Sequence, residues 1–190
     1  MTSNPEKAAL RKHLLEKRDS ISFDLMEIQS KRICSKLTKT KIISEARSVG
    51  CYSSIGSEVQ TNEIINHLLK EGKIVSLPKV SEEMMEFRRI DDITKLEKGE
   101  FDIPEPKDNS PIQEQHDVIL VPCVGLDNHG NRIGYGFGFY DRYLDGNNAV
   151  KIALTYSKQI VKTIPVSTYD VKMDWVITEK DVIKTSGIST

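Results

Sequence analysis

Near its start the chain carries apolar residues at helical spacing; further on they gather in short runs divided by polar and glycine-containing stretches. Roughly Pro5 to Asp19 reads as a helix. Leu10, Leu14 and Leu15 form its apolar stripe, while Lys7, Arg11 and Arg18 follow one another at four- and seven-residue steps. Pro5 suits the first turn. A second helix begins at Ser22 or shortly after, with Leu25, Met26, Ile33 and Leu37 as its buried side. Ser48 to Tyr52 reads as a buried strand and Ser53 to Gln60 as a polar loop. Thr61 is expected to cap a helix whose apolar face is Ile64, Ile65, Leu68 and Leu69, ended by Gly72. Lys73 to Leu77 is the next strand, closed by Pro78. Such strand–helix–strand alternation predicts a parallel sheet with crossover helices.

Met85 to Ile90 is a further strand. Gly99 to Pro111, with three prolines, is expected to be a surface loop. Val118 to Pro122 is the clearest core strand. A glycine-rich segment follows it, then a short helix around Tyr140 to Leu144, then strands at Val150 to Leu154 and Trp175 to Thr178. No repeat or low-complexity tract interrupts the pattern. Residues 1–190 therefore read as one domain, a three-layer α/β/α sandwich with a mostly parallel, Rossmann-like central sheet.

Composition narrows the function. Apolar residues make up 38% and charged residues 29% of the 190 positions, and the formal net charge is -1. Basic and acidic residues interleave, which argues against nucleic acid or membrane as a partner. Cys34, Cys51 and Cys123 show no CxxC spacing and read as free thiols. The histidines stand singly at 13, 67, 116 and 129, so no histidine metal site is expected. The first residues lack an apolar signal core, which implies a cytoplasmic protein.

Candidate chemistry concentrates between Arg132 and Arg142. Gly134, Gly136 and Gly138 alternate with Tyr135, Phe137 and Phe139 just after the best core strand, where open α/β folds gather ligands. Backbone N–H groups of such a loop can cradle phosphate oxygens, with Arg132 and Arg142 completing the charge match and Asp141 offering a ligand for Mg²⁺. A glycine-rich hairpin packing its aromatics on the core is the plainer reading. Known phosphate fingerprints do not fit: GxGxxG would need glycine at Phe139, and no GK[ST] follows a four-residue gap.

The order of residues goes further. Arg132-Ile133-Gly134-Tyr135-Gly136-Phe137-Gly138-Phe139-Tyr140-Asp141-Arg142 resembles the signature of the 5-formyltetrahydrofolate cyclo-ligases. Lys7-Ala8-Ala9-Leu10-Arg11, Glu58-Val59-Gln60-Thr61 and the closing Asp170 with Asp174 are similar to three more segments of that family, in the same order. Phe137 stands where glycine or lysine is common, Phe139 where tyrosine is common, and Tyr169 where many members have histidine.

The resemblance implies an enzyme that uses ATP and Mg²⁺ to convert 5-formyltetrahydrofolate to 5,10-methenyltetrahydrofolate. It implies nucleotide contacts at Lys7, Ala8, Ala9, Leu10 and Arg11 and along Arg132 to Tyr140. Folate would meet Ser53, Glu58 and Tyr135 to Phe139. Mg²⁺ would sit on Asp141 and Asp170, and the reacting groups would face Arg132, Tyr140 and Asp141. A monomer or weak homodimer acting on small molecules is expected. The substitutions at Phe137 and Phe139 leave a second reading, a non-catalytic nucleotide- or folate-binding module on the same fold.

Overall fold

The computed structural model describes residues 4–81, 84–99 and 102–185. Among the described residues there are five α-helices: α1 (Pro5–Asp19), α2 (Phe23–Thr38), α3 (Lys41–Glu45), α4 (Asn62–Lys70) and α5 (Phe139–Leu144). The main sheet is built from β1 (Ser48–Gly50), β2 (Ile74–Ser81), β3 (Met84–Ile90), β6 (Val118–Val121), β9 (Val150–Leu154), β11 (Trp175–Ile177) and β12 (Val182–Lys184), in the order β12-β11-β9-β6-β1-β2-β3. Its five inner strands run parallel, and β3 and β12 close the edges antiparallel. Two smaller sheets join β4 (Glu97–Lys98) to β5 (Pro104–Glu105), and β7 (Gly125–Asp127) to β8 (Arg132–Ile133) and β10 (Ile160–Val161).

Central strand β6 shows why the sheet is sandwiched. Val118 and Leu120 pack with Ile33, Leu37, Ile64 and Leu68 from α2 and α4, whereas Ile119 and Val121 pack with Phe87, Ala153, Val176 and Leu144 of α5. A strand buried on both faces must be apolar at every position, and this one is. A third cluster, Leu14, Val124, Ile133 and Ile164, seats α1 on the small sheet. The α/β sandwich expected from the pattern is present, its second helical layer reduced to α5.

Several local expectations need correction. Leu25 is 39% exposed, and Ser30 takes its place on the buried side of α2. Pro78 does not close β2. Strand β1 pairs only with residues 74–76, so further along β2 pairs with β3 alone, and a proline there costs no ladder bond on the open side. The Thr61 hydroxyl does not cap α4; it donates to the Tyr52 carbonyl at 2.6 Å. The strand at Ser48 stops at Gly50, although Cys51 and Tyr52 stay buried. The stretch from Gly99 to Pro111 includes β5 and a buried Glu105, and its residues 100–101 lie outside the described residues. Gly72 does follow α4 in the left-handed region, at φ +72°.

β1 lies between β2 on one side and β6 on the other, with crossovers leaving in both directions. Loops therefore part at the carboxyl ends of β1 and β6 and leave a crevice between them.

Candidate active site

Helix α1 brings a row of cations to that crevice. Asn4 Oδ1 accepts from Glu6 N at 2.9 Å, and Pro5 occupies the first turn, so the helix starts just before Lys7. Leu14, fully buried, fixes the face that points inward. On that face Lys7 Nζ lies 2.5 Å from Asp170 Oδ2, Arg11 Nε donates to the Gly134 carbonyl at 2.8 Å, and Arg18 Nη2 donates to the Tyr135 hydroxyl at 2.8 Å. Ala8 and Leu10 are half-buried, whereas Ala9 is exposed.

The glycine segment leaves the sheet after β8. Gly136 and Gly138 take φ of +105° and +73°, conformations costly for any side chain. Among the described residues, the N–H groups of Gly134, Tyr135, Gly136 and Gly138 donate to no protein acceptor, so they remain free for a ligand. Ile133 is different: its side chain is fully buried and its carbonyl accepts from Val124 N at 2.7 Å. Phe137 is 58% exposed, while the Arg142 guanidinium lies 5.1 Å from the Phe139 ring centre.

Arg132 is buried. It donates to the Pro122 carbonyl at 3.1 Å and to Asp141 Oδ2 at 3.0 Å, and its Nε is buried without a partner among the described residues. The Tyr140 ring centre lies 5.8 Å from this guanidinium, and its hydroxyl is likewise buried and unpartnered. Burial pushes that hydroxyl well above the ordinary tyrosine range, so it stays protonated.

Two aspartates approach each other here. Asp141 Oδ1 accepts from the N–H of Val171, the neighbour of Asp170, at 3.3 Å. Asp170 Oδ2 also accepts from Ser167 N at 2.7 Å. Partial burial pushes its carboxyl up, but the hydrogen bonds from Lys7 and Ser167 outweigh that and hold it below the usual carboxylate range. Among the described residues no three His, Cys, Asp or Glu form a complete metal cage. Two hard carboxylates nevertheless fit Mg²⁺, which binds through one or two carboxylates plus phosphate oxygens and water.

Across the crevice, Glu58 is buried. Its Oε2 accepts from Ile55 N at 2.9 Å and its Oε1 from the Tyr135 hydroxyl at 2.8 Å. Burial raises its carboxyl above the usual range, opposed by those two hydrogen bonds and by the charge of Arg18. Ser53 is half-buried, its hydroxyl donating to the Pro104 carbonyl at 2.6 Å.

The fold thus gathers Lys7, Arg11, Glu58, the glycine segment, Asp141 and Asp170 in one place. Ala9 stays outside, and Ile133 can contribute only backbone. Sequence reasoning gave Arg18 and Ser57 no role, although the seven-residue step from Arg11 already put Arg18 on the same face. A surface hollow of about 500 Å³, lined by Ile74, Arg89, Ile90 and Ser110, lies at the opposite, amino-terminal end of β2 and holds none of these groups.

Comparison with known proteins places the chain in a family. The model of the 5-formyltetrahydrofolate cyclo-ligase family matches residues 3–179. A probable 5-formyltetrahydrofolate cyclo-ligase of Caenorhabditis elegans is 31% identical, covering 93% of this chain and 94% of its own. The 5-formyltetrahydrofolate cyclo-ligase of Mus musculus is 29% identical, covering 94% and 96%. Among solved structures, the 5,10-methenyltetrahydrofolate synthetase of Aquifex aeolicus superposes with a TM-score of 0.88 at 31% identity, over 97% of this chain and 95% of that one. A family match along nearly the whole length, with the four motif segments meeting at one crevice, means that this chain belongs to the 5-formyltetrahydrofolate cyclo-ligase family.

Proposed function

We infer that the chain is an ATP-dependent ligase that closes 5-formyltetrahydrofolate to 5,10-methenyltetrahydrofolate, releasing ADP and phosphate. The observation that carries this is the row of bonds by which Lys7, Arg11 and Arg18 of α1 reach Asp170, the Gly134 carbonyl and the Tyr135 hydroxyl, beside the open amides of Gly134, Tyr135, Gly136 and Gly138.

The chemical obstacle is a formamide whose carbonyl is a poor electrophile and whose oxygen is a poor leaving group. Transfer of the ATP γ-phosphoryl to the formyl oxygen removes both difficulties. The second folate nitrogen then attacks the formyl carbon, loses its proton, and phosphate departs with the former formyl oxygen. Catalysis is chiefly positioning and charge stabilisation.

Lys7 and Arg11 hold the nucleotide from α1, with Ala8 and Leu10 beside them. Arg132 to Tyr140 wrap the phosphates, Ile133 through its main chain. Arg132 meets the charge that develops on the phosphoryl group, and Tyr140, fixed as the protonated phenol, donates and takes no proton. Asp141 and Asp170 hold Mg²⁺, which supplies neutralisation of the phosphate charge. Glu58 accepts from the N–H edge of the pterin, Ser53 lines the same wall, and the segment from Tyr135 to Phe139 borders the folate. The same reading has the protein cytoplasmic, a monomer or weak homodimer with small molecules as its partners. Three free cysteines support a reducing compartment.

Incubating the protein with Mg-ATP and 5-formyltetrahydrofolate and following methenyl absorbance tests this. ATP-dependent product is expected; a folded protein that forms none removes the enzymatic reading and leaves the binding module.

A further inference from the structure

Arg18 belongs to no motif, yet it is 4% exposed. An arginine in the last turn of a helix ordinarily faces water and meets the helix dipole. This one points inward. Its Nε donates to Ser57 Oγ at 2.8 Å, on the loop after β1, and its Nη2 donates to the Tyr135 hydroxyl at 2.8 Å, on the glycine segment. Tyr135 in turn donates to Glu58 Oε1 at 2.8 Å.

We propose that Arg18 is a positioning residue: by gripping Ser57 and the Tyr135 hydroxyl it fixes Glu58 and locks the carboxylate loop to the glycine segment. This rests on the folate role given above to Glu58. A planar guanidinium with donors at fixed angles can grip two loops at once, which a lysine cannot. Ordinary core packing does not explain the region. Arg18 Nη1, Arg132 Nε and the Tyr140 hydroxyl are all buried without partners among the described residues, and native cores rarely leave such donors empty unless a ligand or water completes them.

The charge of Arg18 also opposes the rise that burial gives the Glu58 carboxyl. The groups around that carboxylate are Arg18 from α1, Tyr135 from the glycine segment, Tyr52 beyond β1, Cys123 beyond β6, Tyr140 from α5, Tyr156 beyond β9, and the Ile55 N–H of its own loop. Arg18 is the cation among them.

The test compares wild type, Arg18→Met, Tyr135→Phe and, as a control for the docking of α1, Leu14→Ala. Affinity for 5-formyltetrahydrofolate is read by calorimetry, and kcat/KM for folate is read against pH. Tyr135→Phe removes one hydroxyl and keeps the ring, so it serves even if Arg18→Met fails to fold. Folate affinity should fall about tenfold or more in both site variants, with KM for ATP changed less. The acidic limb of kcat/KM should move to higher pH. Leu14→Ala should lower stability and leave that limb in place. Folded site variants with folate affinity within about twofold of wild type, or with an unmoved limb, overturn the proposal. Wild type that binds folate without turnover overturns the ligase reading alone, and the affinities still decide for Arg18; wild type that binds no folate removes both.

Discussion

Asp141 carries two loads, and a substitution must separate them. Its carboxylate neutralises Arg132, whose side chain is 5% exposed. Alanine there would leave a buried guanidinium uncompensated, at a cost of about 3 kcal/mol or more. Asn keeps the acceptor and loses the charge. Asp141→Asn is therefore expected to lower kcat at least about 100-fold while denaturant unfolding still shows one cooperative transition. Gly136 makes a second point. At φ +105°, with a Cβ falling 3.4 Å from the Arg11 guanidinium carbon, alanine would strain the loop by about 1–3 kcal/mol. Gly136→Ala should raise KM for ATP several-fold, measurable in the same absorbance assay. The glycine segment was legible in the sequence because its spacing is local, whereas Lys7 and Arg11 stood out only through the family resemblance. The pairs Lys7–Asp170 and Arg18–Tyr135 were not legible, since only the fold brings together residues that far apart in the chain.

Helix α1 is the element on which the site depends most. Apolar contact holds it through Leu14, and polar contact through Lys7, Arg11 and Arg18. The Lys7–Asp170 pair is half-buried and contributes about 1 kcal/mol. Because the folded Asp170 carboxyl lies below its ordinary value, the unfolded chain binds the proton more tightly. This contribution is complete above the unfolded value, near about 4, and is lost as pH falls through the lower folded value. Denaturant unfolding measured from neutral pH down to about 3 should show Lys7→Met and wild type converging at the acid end; a constant gap would mean the pair does not hold the helix. The long helices were legible from their 3.6-residue period, and α1 begins and ends where it was expected. Strands β7, β8 and β10, two or three residues each, are too short for any alternation to register. Likewise, nothing local warned that β2 would run through Pro78.

For the whole molecule, the parallel sheet was legible because its inner strands are apolar at successive positions. The reduced second layer was not, because one short helix and loops replaced the expected row. The buried His116 reports on the integrity of this sandwich. Its Nε2 lies 2.7 Å from Ser76 Oγ, its ring packs edge-on against Phe87, and burial pushes its pKa down to about 4, with Asp117 opposing. The native state thus refuses a proton that the unfolded chain accepts below about 6.5, so stability should decline between pH 6.5 and about 4. His116→Gln should flatten that slope in chemical denaturation. The account as a whole rests on the amides of Gly134, Tyr135, Gly136 and Gly138, which donate to no acceptor among the described residues. Hydrogen exchange of those amides, measured with and without saturating Mg-ATP, tests it most directly. Exchange should slow there and at the first turns of α1 when nucleotide is present. Unchanged exchange in both places, in protein that binds or consumes ATP, would contradict it.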